Sequence, residues 1–125
     1  MANRVVFVAS TEDMIAVARR LVDHSVGIRI VGTTTDTFEG QQLVREVSPD
    51  VVLIHANPGS GSSVEFVSQL KLSHPSMRVV GCGALLNAEE FLREWDVDDY
   101  VHLPPRAEAF IKALGGKWAP DGAAT

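Results

Sequence analysis

Ser48-Pro49-Asp50-Val51-Val52-Leu53-Ile54-His55-Ala56-Asn57-Pro58-Gly59 decides the fold of this 125-residue chain. Pro49 and Asp50 stop the helical pattern that precedes them. Val51, Val52, Leu53 and Ile54 then run without polar alternation, as in a strand covered on both faces. Asn57-Pro58-Gly59 turns the chain at the far end. Strands of this kind form the centre of open, parallel α/β sheets, whose ligands bind beyond the carboxyl ends of the strands. His55 therefore stands where such a fold does its chemistry.

Upstream, Arg4-Val5-Val6-Phe7-Val8-Ala9 is a second buried-strand run. Ser10, Thr11, Glu12 and Asp13 follow it with a helix cap and first-turn acids, and Met14, Val17, Ala18 and Leu21 give that helix an apolar stripe. After Gly27, Ile28-Arg29-Ile30-Val31-Gly32 begins by alternating, which predicts an edge strand with Arg29 toward solvent. Residues 33–37 form a polar loop, and Gly40, Leu43, Val44 and Val47 recur at helical spacing up to Pro49.

Downstream, residues 56–63 are small and expected to be flexible, and Phe66, Val67 and Leu70 mark a helix stopped by Ser73-His74-Pro75. Arg78-Val79-Val80-Gly81-Cys82 is a fourth strand. Asn87-Ala88-Glu89-Glu90 caps a helix whose stripe is Ala88, Phe91, Leu92 and Trp95. Tyr100-Val101-His102-Leu103 is the last strand, Pro104-Pro105 a stiff turn, and Ala107, Phe110, Ile111 and Leu114 the stripe of a fifth helix closed by Gly115-Gly116. Residues 117–125, rich in Ala, Gly and Pro, read as a flexible tail or linker with Trp118 as its only anchor.

Five strands alternating with five helices demand right-handed crossovers and a parallel sheet. The expectation is one three-layer α/β/α domain over residues 1–116, flavodoxin-like, with strand order 2-1-3-4-5. Val6, Val8, Val52, Ile54 and Val80 belong in its core.

Composition narrows the function. Eleven basic against 16 acidic residues give a net charge of −5, which argues against a nucleic-acid or anionic-membrane surface. The apolar runs fall far short of the ~20 residues that span a bilayer, and Met1-Ala2-Asn3-Arg4 does not open a secretory signal. One cysteine makes no internal disulfide, so the expected compartment is the cytoplasm. Cys82 is expected to be a small buried hydrophobe. His24, His55, His74 and His102 do not share a spacing that makes a metal site, and no metal or cofactor is expected.

The run Pro49 to Ile54, the Asn57-Pro58-Gly59 turn, and Asp99-Tyr100-Val101 with Pro104 together resemble a response-regulator receiver (CheY-like) domain, over residues 4 to 114. The resemblance implies where that family's chemistry falls. Its acidic pair aligns with Ala9 and Ser10, its phosphoacceptor aspartate with His55, its hydroxyl residue with Gly83 and its lysine with Leu103. Magnesium is a hard cation that takes oxygen ligands, and these positions supply no carboxylate and no compensating ammonium. Glu12 and Asp13, just beyond the aligned pair, belong to the first turn of a helix, where its dipole favours them.

The resemblance thus implies an atypical, degenerate receiver that is not phosphorylated and is not an enzyme. It implies a regulatory part of a larger protein, working through a protein partner or itself, as in atypical receivers ahead of output or ATPase domains, ParA/MinD-like pilus-assembly ATPases among them. The family's usual partner face corresponds to residues 87–114, with Glu90, Arg93, Glu94, Tyr100, Arg106 and Lys112 as contact candidates and a homodimer as one use. A second reading is a small-ligand module, in which Asn57-Pro58-Gly59-Ser60-Gly61-Ser62-Ser63 offers backbone N–H groups to a nucleotide or anion at the strand ends.

Overall fold

The computed structural model describes residues 2–55, 61–83, 97–102 and 106–119. In chain order the strands are β1 (Asn3–Val8), β2 (Ser25–Val26), β3 (Ile28–Thr34), β4 (Val51–His55), β5 (Arg78–Gly83), β6 (Asp99–His102) and β7 (Lys117–Trp118). The helices are α1 (Glu12–Asp23), α2 (Thr37–Val47), α3 (Gly61–Ser73) and α4 (Ala107–Ala113). The main sheet is parallel, in the order β3-β1-β4-β5-β6. Among its own five strands this is the expected 2-1-3-4-5, with the two continuous apolar runs inside and the alternating Ile28–Thr34 at an edge.

Residue parity along the strands sorts the core into two halves. Val5, Phe7, Val51, Leu53, Val80 and Val101 face one side and pack with Ile15 and Ala18 of α1, Phe110 and Ile111 of α4, and Leu114 directly after it. Val6, Val8, Val52, Ile54 and Val79 face the other and pack with Val44, Phe66, Val67 and Leu70 of α2 and α3. The five residues expected in the core are all at most 3% exposed.

Local chemistry sets the ends of the elements. Thr11 caps α1, accepting the N–H of Met14 with its hydroxyl at 3.3 Å, and Glu12 and Asp13 occupy the first turn as expected. Asp36 does the same for α2 through the N–H of Phe38 at 2.8 Å. Ser48 ends α2 in the left-handed region at φ 46°, directly before Pro49. Asp50 then joins the two central strands, its carboxylate accepting the N–H of Arg4 and its own N–H donating to the Arg4 carbonyl, both at 2.8 Å.

The structure revises several sequence expectations, among them the polar loop at residues 33–37, whose ends belong to β3 and α2. On α1 the buried positions are Ile15 and Ala18, flanked by Met14, Leu21 and Val22, while Val17 is 36% exposed. Two residues beyond Ile15, Val17 is turned by ~200° about the helix axis, away from the sheet. Helix α3 begins at Gly61, so Gly61, Ser62 and Ser63 lie within its first turn rather than in the preceding loop. The chain also stays in the folded body past Gly116. Gly115, at φ 89°, turns it so that Lys117–Trp118 pairs antiparallel with Ser25–Val26. The N–H of Ala119 donates to the His24 carbonyl at 2.9 Å, and the Trp118 ring packs edge-on against His24 with centroids 6.0 Å apart.

The helix expected at residues 87–95, with Phe91 and Trp95, lies outside the described residues, as do Asn57-Pro58-Gly59 and Leu103. Among the described residues no helix is long and apolar enough to cross a membrane.

Candidate functional site at the strand ends and the β6 groove

Parallel strands bring Ala9, Ser10, His55 and Gly83 to one end of the sheet. Val8 pairs with Ile54, and His55 pairs with Cys82, so the residues after β1 and those closing β4 and β5 are neighbours. Ala9 is 3% exposed, and its N–H donates to the Thr34 carbonyl at 3.0 Å. It contributes a methyl group and no oxygen ligand.

Ser10 and His55 lock to each other. The Ser10 N–H donates to His55 Nδ1 at 3.3 Å, and the Ser10 hydroxyl donates to the His55 carbonyl at 3.1 Å. As an acceptor, Nδ1 carries a lone pair, which leaves the ring proton on Nε2. Burial holds the half-buried imidazole below the usual histidine range, which favours the same neutral form. The serine hydroxyl is already committed, and a neutral N–H ring occupies the aligned acceptor position. Among the described residues no group of three His, Cys, Asp or Glu side chains is placed to hold a metal ion.

Beside this pair, Cys82 is fully buried, and burial pushes its thiol up to about 12. A neutral thiol in an apolar core is a poor nucleophile. Gly83 closes β5 opposite His102 and carries no hydroxyl. Leu103 falls outside the described residues.

The second feature lies at the opposite edge of the sheet. A groove of about 660 Å³ runs between β6 and α4, with the buried Val101 and Ala113 among its lining residues. Arg78, Asp99, Arg106 and Lys112 supply its charges, and Tyr100 lies beside them, packed against the α2/α3 half of the core. Tyr100, Arg106 and Lys112 are thus brought together, whereas Glu90, Arg93 and Glu94 lie outside the described residues. The sequence reading missed Arg78 and Asp99, which join this groove through strand pairing rather than through sequence proximity: Arg78 opens β5 and Asp99 opens β6. Their side chains form an ion pair at 3.3 Å.

No protein-family model matches the chain, and no curated protein does. Solved structures do. A two-component response regulator of the LuxR family from Aurantimonas sp. superposes with a TM-score of 0.78 at 20% identity, covering 99% of this chain and 93% of that one. The signal receiver domain of an HD domain-containing protein from Pseudomonas fluorescens gives a TM-score of 0.77 at 14% identity, covering 92% and 93%. A protein of Burkholderia pseudomallei described as pilus assembly-related gives 0.74 at 15% identity, covering 90% of each chain. The chain has the flavodoxin-like fold of a response-regulator receiver domain.

Proposed function

We propose that this chain is a receiver-fold regulatory module in signal transduction that does not take a phosphoryl group. It acts through contacts with a protein partner or a second copy, and not as an enzyme. The observation that carries this reading is the mutual lock of Ser10 and His55 at the carboxyl ends of β1 and β4. Phosphoryl transfer to a receiver fold needs oxygen ligands for magnesium and charge to offset the incoming phosphoryl group. At the described positions the chain offers a buried methyl group, a committed hydroxyl and a neutral imidazole. The fold occurs as the receiver domain of an HD domain-containing protein and in a protein described as pilus assembly-related, which supports a role as one part of a larger protein.

The test is an amide NMR titration with magnesium and beryllofluoride. The expected result is an unchanged spectrum around Ala9, Ser10 and His55. Saturable shifts there at micromolar magnesium would overturn the reading.

A further inference from the structure

Helices α2 and α3 lie side by side over one face of the sheet, and Gly40 lets them approach closely, since a Cβ there would come within 3.1 Å of the Phe66 ring. Further along both helices a cleft of about 290 Å³ opens between them, with the buried Leu70 as its one apolar lining residue. The other lining residues are Gln41 and Arg45 of α2, Gln69 and Ser73 of α3, and His74 directly after α3. Each helix thus contributes two polar groups four residues apart, ~6 Å along its axis, and the two pairs face each other. In a simple helix–helix seam such groups would bond to one another. Here none of the five makes a side-chain hydrogen bond or ion pair among the described residues. Lys71, the other cation near this end of α3, is committed to Asp98 at 2.6 Å and to the Met77 carbonyl at 3.3 Å.

We infer that this α2–α3 cleft binds a phosphate group, free or as the monoester of a small molecule. The Arg45 guanidinium only donates, the carboxamides, hydroxyl and imidazole can each donate, and no carboxylate lines the cleft. A tetrahedral oxyanion accepts from several directions at once, and a guanidinium engages two of its oxygens together. The carbonyl ends of α2 and α3 lie at this level and oppose an anion. Their partial charges are screened at the surface and fade within one turn, whereas the guanidinium brings a full charge into contact, so binding depends on Arg45. The volume, about 290 Å³, sits at the lower end of the ~300–1,000 Å³ of small-molecule sites, which favours a small ester over a nucleotide. The cleft lies toward the end of the sheet where β4 begins, opposite Ser10 and His55, so the inference goes beyond the regulatory reading and does not depend on it.

The probe is potassium phosphate, titrated without magnesium into the isotope-labelled chain at constant ionic strength, beside glycerol phosphate and a chloride control, and read by backbone and side-chain amide NMR. Phosphate and its ester should give saturable shifts at the Gln41 and Gln69 carboxamides and at the Ser73 and His74 amides, and the tighter of the two identifies the source. Arg45→Gln should weaken binding about tenfold or more, because it removes the charged donor. Gln69→Glu, which sets a carboxylate on the facing wall, should do the same. The control Arg20→Gln, exposed on α1 across the sheet, should leave binding within about twofold. Shifts that grow without saturating, that chloride reproduces, or that survive both cleft variants would overturn the inference. So would saturable shifts confined to Ser10 and His55, which would put the anion at the strand ends. No phosphoryl donor is present, so failure here leaves the reading of the strand ends to its own titration with magnesium and beryllofluoride.

Discussion

Gly40→Ala sets two known effects against each other. Alanine is better than glycine in a helix interior by about 1 kcal/mol, and Gly40 sits inside α2. An added Cβ would, however, lie 2.9 Å from Val8 Cγ2 and 3.1 Å from Phe66 Cε2 and Cζ. Carbon atoms prefer separations of about 3.5–4.0 Å, so all three contacts fall on the repulsive wall. Neither neighbour has room to retreat. Val8 belongs to β1, which is paired on both sides, and the Phe66 ring is 1% exposed between α2 and the sheet. Overpacking of this kind costs about 1–3 kcal/mol, and two immobile neighbours place Gly40 in the upper half of that range. After the helix gain the net loss is ~1–2 kcal/mol, a fall in Tm of roughly 3–10 °C for a domain of this size. Thermal unfolding by circular dichroism measures it. An unchanged or raised Tm would refute the close approach of α2 to β1 and α3. Gly32→Ala is a useful contrast, because the three atoms nearest its Cβ all belong to the Leu43 side chain, Cδ2 at 2.7 Å, and a leucine tip can turn away.

Two further outcomes follow from buried and paired groups. Burial alone would raise the Asp98 carboxyl, but hydrogen bonds from Lys71 at 2.6 Å and the Val79 N–H at 2.7 Å, with the Lys71 and Arg78 charges, hold it below the ordinary carboxylate range. A depressed folded value contributes stability that is present above the unfolded value and lost as pH falls through the folded one. Urea unfolding should therefore show stability declining below pH ~4, and Asp98→Asn should flatten that decline while lowering stability at pH 7. An Asp98→Asn profile parallel to the parent would contradict the pairing. The Cys82 thiol, buried and raised to about 12, should resist a thiol reagent at pH 8 in the native chain and react at once in denaturant. Rapid native labelling would show that β5 is open at that end.

The sequence made the main sheet legible because its signals are long and local. Val51 to Ile54 and Val5 to Ala9 lack polar alternation, while Ile28 to Ile30 has it, and burial on both faces separates these cases. Helix starts were readable from Thr11 with Glu12 and Asp13, since capping needs only neighbours in sequence. The β2–β7 ribbon was not readable, because strands of two residues have no period and owe their pairing to the turn at Gly115 and the packing of Trp118. The strand-end site was legible as a set of aligned positions, Ala9, Ser10, His55 and Gly83. The bonds between Ser10 and His55 were not, since they depend on the register of β1 against β4 across 45 residues. Arg78 and Asp99 escaped for the same reason: each opens a strand, where a charge ordinarily marks only the entry from solvent.

Intact-mass spectrometry after incubation with acetyl phosphate and magnesium tests the proposal that the ends of β1 and β4 do not take a phosphoryl group. The parent chain is predicted to keep its mass, and so is His55→Asp, because a single carboxylate still lacks the acidic pair that holds magnesium and the lysine that offsets the transferred charge. A phosphoryl adduct on the parent, or robust labelling of His55→Asp alone, would contradict the account.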